Sequence, residues 1–277
     1  MKPNAPAAPP ASTAEEAPAA GAADYATQLF AVIAAEAQKL RHDPMELATR
    51  AVQPVLWLLL FGEVMARVRG ISPGNLPYLD FLAAGILAQS VLFVAIFYGI
   101  SAIWERDLGV LHRYLVSPAP RSALAMGKAL SASMRGLSQA CVVYVLTLAL
   151  GVRIDLMPLH LLGVVVFIVL GSGLFATLSL IIACIVKTRE RFMGIGQVLT
   201  MPIFFASNAI YPLDLMPDWL RAVAALNPLT YEVDALRALM LQDGTSVLGL
   251  PLDFGVLAAT AAVLIAIAAR MYPRMAY

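Results

Sequence analysis

The residues able to do acid–base, redox or ligand chemistry are few in this 277-residue sequence, and they are scattered. Binding a nucleoside triphosphate takes a Gly-rich loop to cradle the phosphates, and no G-x-x-x-x-G-K-[S/T] run occurs. His42, His112 and His160 lie far apart, and no HExxH or CxxC spacing offers a metal site. His160 reads as a satisfied polar residue at a membrane boundary. No Ser/His/Asp arrangement is legible. Cys141 and Cys184 fall in apolar runs, are too few for a disulfide framework, and read as small buried hydrophobes. Glu63, Asp80 and Asp253 stand at the edges of long apolar stretches. Acids inside a membrane are functional candidates, but at a boundary these three read as solvated charge. The chain therefore carries no catalytic set, no metal and no cofactor of its own.

The elements around these residues are those of a membrane protein. Hydrophobic residues make up 60% of the chain and charged residues only 13%, against about 25% charged in a soluble domain. The net charge of +1 gives no reason to expect a nucleic-acid partner. A membrane-crossing helix needs about 20 apolar residues. Stretches without Asp, Glu, Lys or Arg run over Phe81–Trp104, Gly136–Val152, Leu156–Val186, Phe192–Leu213 and Phe254–Ala269, the last preceded by the mostly apolar Ser246–Leu252. A sixth, Ala51–Gly62, reaches crossing length only by absorbing Glu63 and part of Met45–Arg50. Six spans put both termini on one side. That side then collects 14 of the 19 Lys and Arg residues, Arg135 among them, and the other side collects 5. Positive charge is retained in the cytoplasm, so both termini are expected there.

Residues 1–24 are rich in Pro and Ala, lack the apolar stretch of a signal peptide and are expected to be a disordered tail. In Tyr25–Leu40 the apolar residues Tyr25, Leu29, Val32, Ile33 and Leu40 recur at helical spacing, which predicts an amphipathic helix in the cytoplasmic interface, broken by Pro44. Two connections are more than tethers. In the cytoplasmic loop Glu105–Leu130, Leu108, Leu111 and Leu115 share one face of a short helix that Pro118 and Pro120 end. Such a face can dock into a groove on a soluble partner or lie on the headgroups. Outside, Ser207–Gly244 predicts a helix starting near Met216–Leu220, a break at Asn227-Pro228, and a second helix over Thr230–Leu241 with Val233, Leu236, Leu239 and Met240 on one side. This pair would dip into the outer leaflet and return, and Pro202 adds a kink before it. A membrane-embedded transferase would need polar residues converging at one membrane face, and none is legible.

The segment Arg189–Leu241 resembles the signature region of type-2 ABC exporter permeases, of the daunorubicin-resistance and nodulation-factor type. Matching positions include Gly194, Gln197, Pro202, Ser207, Tyr211, Pro212, Met216, Pro217, Asn227, Pro228, Tyr231 and Arg237. Asn208 stands where the familiar pattern often has Gly. Trp104–Leu130 resembles the loop by which this family couples to its ATPase. The order of elements fits from about residue 25 to the end.

The resemblance implies an all-α integral membrane protein. It would have six transmembrane helices, an N-terminal interfacial amphipathic helix, a cytoplasmic coupling helix and an extracellular re-entrant helix pair, with residues 25–277 forming one transmembrane domain. It further implies a permease subunit of an ATP-driven exporter in the cell's inner membrane, paired with a second permease copy among membrane lipids. ATP and Mg would bind a separate cytoplasmic ABC ATPase. The cargo would be amphipathic, lipid-like or drug-like. By the same resemblance Glu105, Arg106, Leu108, Leu111, Arg113 and Leu115 form the ATPase-coupling helix. Tyr211, Pro212, Pro217, Trp219, Asn227, Pro228 and Tyr231 shape an exit gate, and Val55, Leu59, Ile195 and Leu199 lie at the dimer interface.

Overall fold

The computed structural model describes residues 44–68, 76–108, 121–186 and 188–271. The Pro/Ala-rich tail, the expected interfacial helix Tyr25–Leu40, and residues 109–120 of the expected coupling loop lie outside these ranges. Among the described residues the architecture is helical, with one isolated β-bridge between Ile154 and Leu241.

Helix α1, Pro44–Leu56, opens on the proline that the sequence places as a breaker. At the first helical turn the missing N–H costs nothing. Pro54 inside α1 removes a ladder donor, and within three residues the ladder widens into a π-helical turn, Trp57–Gly62, before the short α2, Glu63–Ala66. The apolar stretch Ala51–Gly62 thus extends as expected through Glu63, which is exposed. Four longer helices follow, namely α3 (Tyr78–Asp107), α4 (Arg121–Ala149), α5 (Pro158–Ile185) and, last in the chain, α9 (Leu250–Met271). Each contains a segment long and apolar enough to cross a bilayer, whereas Ala51–Ala66 is a shorter apolar helix. Between α5 and α9 lie α6 (Arg189–Phe205), a 3-10 turn Leu213–Leu215, α7 (Asp218–Leu226) and α8 (Pro228–Met240). Thr188 caps α6 by accepting from the Arg191 N–H at 3.4 Å.

Helix α3 is the central post. Its residues Phe81–Leu92 are buried throughout, and it packs against α4, α5, α6 and α8. Small residues allow the close approaches, as is usual where helices meet in a membrane. A Cβ at Gly99 would come 2.8 Å from Phe192 Cζ and 3.0 Å from the Ser179 carbonyl oxygen, and one at Gly136 would come 3.1 Å from Ser172 Cβ. The Gly99 N–H also donates to Ser179 Oγ at 3.1 Å, and Ser133 Oγ donates to the Val169 carbonyl at 3.0 Å.

Two expectations are corrected here. Cys141 is exposed on α4 and Cys184 is half-buried, so neither is an enclosed core hydrophobe. An apolar run in a membrane helix does not require a protein neighbour, because lipid is as apolar as a core. Arg135 is not a loop residue: α4 begins at Arg121 and carries it inside the apolar segment Leu130–Ala149. A charge-free count starts the helix at Gly136 only because it stops at every charge.

Candidate functional site

The expected re-entrant element begins where α6 ends. Pro202 lies within α6, and the helix closes three residues later. The Tyr211 hydroxyl donates to the Phe205 carbonyl, folding the following loop back onto that end. Pro212 and Pro217 flank the 3-10 turn, and Pro217 precedes the first residue of α7. Asp218 occupies the first turn of α7, near the positive end of its dipole. Arg221 secures the loop by donating to the carbonyls of Leu213 at 3.2 Å and of Asp214 and Met216 at 3.4 Å. Trp219 stays 69% exposed, as suits a ring at headgroup level.

Asn227 is the hinge. Its Oδ1 accepts from the Leu229 N–H at 3.0 Å and caps α8, with Pro228 at the first helical position. Its Nδ2 donates to the Ile203 carbonyl at 2.6 Å. That carbonyl belongs to the last turn of α6, where helix geometry leaves acceptors without intrahelical donors. One side chain thus completes the end of α6 and the start of α8. The Tyr231 hydroxyl donates to the Ala225 carbonyl at 2.8 Å and fastens α8 to α7.

Helix α8 is enclosed by α3, α5 and α9. The expected apolar side is buried, but so are Glu232, Asp234 and Arg237. Glu232 lies against Gly171 of α5, where any Cβ would strike its carboxyl group, and neither carboxyl oxygen has a hydrogen-bond partner among the described residues. Asp234 turns the other way. Its Oδ2 accepts from Ser246 Oγ at 2.7 Å and from the Leu248 N–H at 2.9 Å, and the same Ser246 hydroxyl lies 3.1 Å from Asp253 Oδ2. A hydroxyl has one hydrogen, so Ser246 donates to one of the two carboxyls at a time. Arg237 donates to the Asn208 carbonyl at 2.8 Å, and its guanidinium carbon sits 3.7 Å from the centre of the Phe81 ring. At this end of the bundle Glu232, Asp234 and Arg237 thus each meet a separate neighbour, and among the described residues they form no single convergent set.

The rim of this end is tied by ion pairs. Arg153, in the turn between α4 and α5, pairs with Asp80 at 3.3 Å and with Asp243 at 2.9 Å. Asp80 is 4% exposed and Asp253 0%, so the expectation of solvated charge fails for both. Tertiary packing covers them, whereas Glu63 matches it. His160 is satisfied as expected, its Nδ1 being 2.6 Å from Asp155 Oδ2. The Met157 N–H, donating at 2.8 Å, and then His160 hold the Asp155 carboxyl below the usual carboxylate range.

At the opposite end, Glu105 and Arg106 are in the last turn of α3 and Leu108 follows it, 69% exposed. Leu111, Arg113 and Leu115 lie outside the described residues. Asp107 pairs with Arg189 at 2.9 Å, and the Arg189 guanidinium stacks 3.5 Å over the Trp104 ring. The expected coupling loop therefore leaves from a point fastened to the first residue of α6. Leu59 and Ile195, expected at a dimer interface, are exposed on the π-turn and on α6, and Val55 and Leu199 are half-buried. Trp57 bridges the two elements, packing edge-on to Phe204 with ring centroids 5.5 Å apart.

Sequence reasoning did not single out Glu232, Asp234 or Ser246, and it took the buried Asp253 for a boundary charge. A signal was present: Glu232 and Asp234 at i and i+2 cannot both leave a helix whose third side is the packed apolar stripe.

Four apolar helices of membrane-crossing length around a buried, polar half-length helix define a multi-helix membrane protein. The sequence profile of the ABC-2 type transporters matches residues 27–241, and the chain belongs to that family. It is 29% identical over 217 residues to the transport permease ycf38 of Cyanophora paradoxa, covering 78% of this chain and 74% of that protein. It is 28% identical over 204 residues to the daunorubicin resistance ABC transporter permease protein DrrB1 of Streptomyces coeruleorubidus, covering 72% and 70%. It is 27% identical over 211 residues to nodulation protein J of Rhizobium leguminosarum bv. viciae, covering 74% and 77%.

Proposed function

We propose that this chain is the membrane-spanning permease subunit of an ATP-driven exporter, working as two copies with a separate cytoplasmic ABC ATPase that holds ATP and Mg. The observation that carries the reading is the α7–α8 pair in a chain of the ABC-2 family, with a polar helix inside the bundle hung from α6 by Asn227. A helix so placed can open or close a path at its end of the bundle when α6 moves. In this reading α1 and α6 complete six crossings, α7–α8 form the extracellular re-entrant gate, and both termini lie in the cytoplasm at the inner membrane. Leu59 and Ile195 meet the second copy. The cargo is an amphipathic, lipid-like or drug-like molecule, in keeping with relatives named for daunorubicin resistance and nodulation.

The test is co-expression with an ABC ATPase encoded beside it, followed by purification and vesicle transport. A 2:2 complex with cargo-stimulated ATP hydrolysis is expected, and a chain that transports alone as a monomer would refute the reading. Within that complex, Leu111→Asp is expected to weaken ATPase association about 30-fold, since a buried anchor is commonly worth about 2 kcal/mol and 1.4 kcal/mol is tenfold. Normal co-purification and normal coupling in this variant would reject the loop as the transmission element. Asn227→Ala is expected to cost about 0.5–2 kcal/mol, the range for a lost helix cap. It should cut export severely while the ATPase still co-purifies. Loss of the ATPase instead would place Asn227 at the wrong contact.

A further inference from the structure

One acid of α8 takes no part in the polar contacts that hold that helix. Glu232 is fully buried, and neither of its carboxyl oxygens has a hydrogen-bond partner among the described residues. Its niche depends on a missing side chain, since any Cβ on Gly171 would overlap the carboxyl group. Gly171 stands midway along the 28 residues of α5, a helix long and apolar enough to cross a bilayer. The carboxyl is therefore held at the depth of the middle of a span. Ionisable residues at that depth mark ion and proton paths.

The titratable and charged groups on the elements around it have other partners or stand at other levels. On α8 itself Asp234 is bound to Ser246 and the Leu248 N–H, Arg237 to the Asn208 carbonyl and the Phe81 ring, and the Tyr231 hydroxyl to the Ala225 carbonyl. On α3, Tyr78 holds Ile210 and Asp80 pairs with Arg153, while Tyr98, Glu105, Arg106 and Asp107 lie toward the far end. Helix α5 offers His160, paired with Asp155 near its start, and Cys184 near its close. Helix α7 brings Asp218 in its first turn and Arg221, bound to loop carbonyls. Helix α9 brings Asp253, against Ser246, and Arg270 in its last turn. A carboxylate buried without a partner is so costly that the group neutralises instead. A metal ion would need several oxygen ligands, and among the described residues no group of three or more His, Cys, Asp or Glu comes together to hold one. A proton needs only the one carboxyl.

We propose that Glu232 is a proton-binding site inside the bundle, and that α8 stays enclosed against Gly171 only with the proton bound. Where α8 moves as a gate, it takes up this proton on closing and gives it up on opening; that step alone rests on the exporter reading. The site itself is tested on the full chain in phosphatidylcholine nanodiscs at neutral pH. The measurement is the infrared difference between wild type and Glu232→Gln, because glutamine keeps the shape of the neutral acid and its amide carbonyl absorbs apart from a carboxylic acid. A second sample is wild type with isotope-labelled glutamate carboxyls. Among the described residues Glu232 is the only buried glutamate.

The wild type is expected to show a carboxylic-acid carbonyl band that Glu232→Gln loses and that the isotope shifts. Melting gives an independent readout. Above the ordinary glutamate range, about 4.3, the unfolded chain gives up the proton that the folded chain keeps, so stability falls as pH rises. Wild type should therefore melt with Glu232→Gln in acid and progressively below it toward neutral pH. If Glu232→Gln does not fold, the isotope shift in the wild type decides. Carboxylate bands in place of the acid band overturn the site, and so does a melting difference that does not change with pH. A chain with the acid band that transports alone as a monomer keeps the site and removes the permease reading. An ionised Glu232 in a chain that co-purifies with an ATPase does the reverse.

Discussion

Gly85→Val is expected to lower the melting temperature of the purified protein by about 10 °C and to abolish export. Gly85 is where α3 meets the loop that follows α6. A Cβ there would lie 2.8 Å from the Ala209 carbonyl carbon and 2.9 Å from its Cα, and closer still to its oxygen. The obstacle is backbone, so no rotamer change relieves it. Nor can the loop retreat without loss. The Tyr78 hydroxyl holds the Ile210 carbonyl at 2.9 Å, Arg237 holds that of Asn208 at 2.8 Å, and Ser207 Oγ donates to the Phe204 carbonyl at 2.7 Å. Overpacking costs about 1–3 kcal/mol, and each hydrogen bond broken adds about 1 kcal/mol. A loss of about 3 kcal/mol or more follows, at roughly 2–4 °C per kcal/mol for a chain of this size. The control is Gly255→Ala on α9, where an added Cβ meets nothing within 4 Å; it should melt at or slightly above wild type, because alanine is the better helix former. Gly85→Val melting with wild type would show that the loop does not press on α3.

This contact explains why part of the architecture was legible in the sequence and part was not. Local signals were sufficient for the break at Asn227-Pro228, for helices beginning near Asp218 and Pro228, and for the extension of the first apolar segment past Glu63. Each depends on residues within a few positions of one another. Gly85 meeting Ala209 depends on two segments more than a hundred positions apart, and nothing in either segment names the other. Asp80 with Arg153, and Asp234 with Asp253, also meet only through the tertiary fold, although they are nearer in sequence. Their burial comes from partners that only the assembled bundle supplies, so a reading by position along each span took two of these acids for boundary charges. The place of Arg135 inside α4 was hidden for another reason. Charge-free counting treats every arginine as a helix end, although a helix can continue through one.

The exit-gate residues show the same division. Pro217, Pro228 and Asn227 act through backbone chemistry that sequence displays directly. What Asn227 reaches for, the Ile203 carbonyl, was not legible, because helix ends leave several acceptors open and sequence does not say which donor finds them. Helix α8 was expected to hold its apolar residues on one side, and it buries its charged residues as well. Four buried acids, Asp80, Glu232, Asp234 and Asp253, then stand against one buried base, Arg237, among the described residues.

That imbalance makes Arg237→Met the substitution with the largest expected electrostatic effect. Methionine fills much of the space and keeps helix propensity, so packing loss is small and the charge is what is removed. The Asn208 carbonyl loses its donor, the Phe81 ring loses its cation, and Asp234, one turn earlier on the same face, loses the positive charge that acts on it. Removing one partner from a buried set of charges costs about 3–5 kcal/mol, because the other charges stay behind in a medium that solvates them poorly. The variant should therefore melt far below wild type, by about 10 °C at roughly 2–4 °C per kcal/mol, and should lose export even where some protein is recovered. Asp234→Asn in the same chain removes the stranded negative charge, and if charge rather than shape is responsible the double variant should regain a large part of the loss. Neighbouring sites of this kind couple by about 0.5–3 kcal/mol, which melting of the four proteins in a double-mutant cycle can read. A coupling near zero would assign the effect of Arg237→Met to the Asn208 contact alone, and an Arg237→Met protein as stable as wild type would remove Arg237 from the forces holding α8 in place.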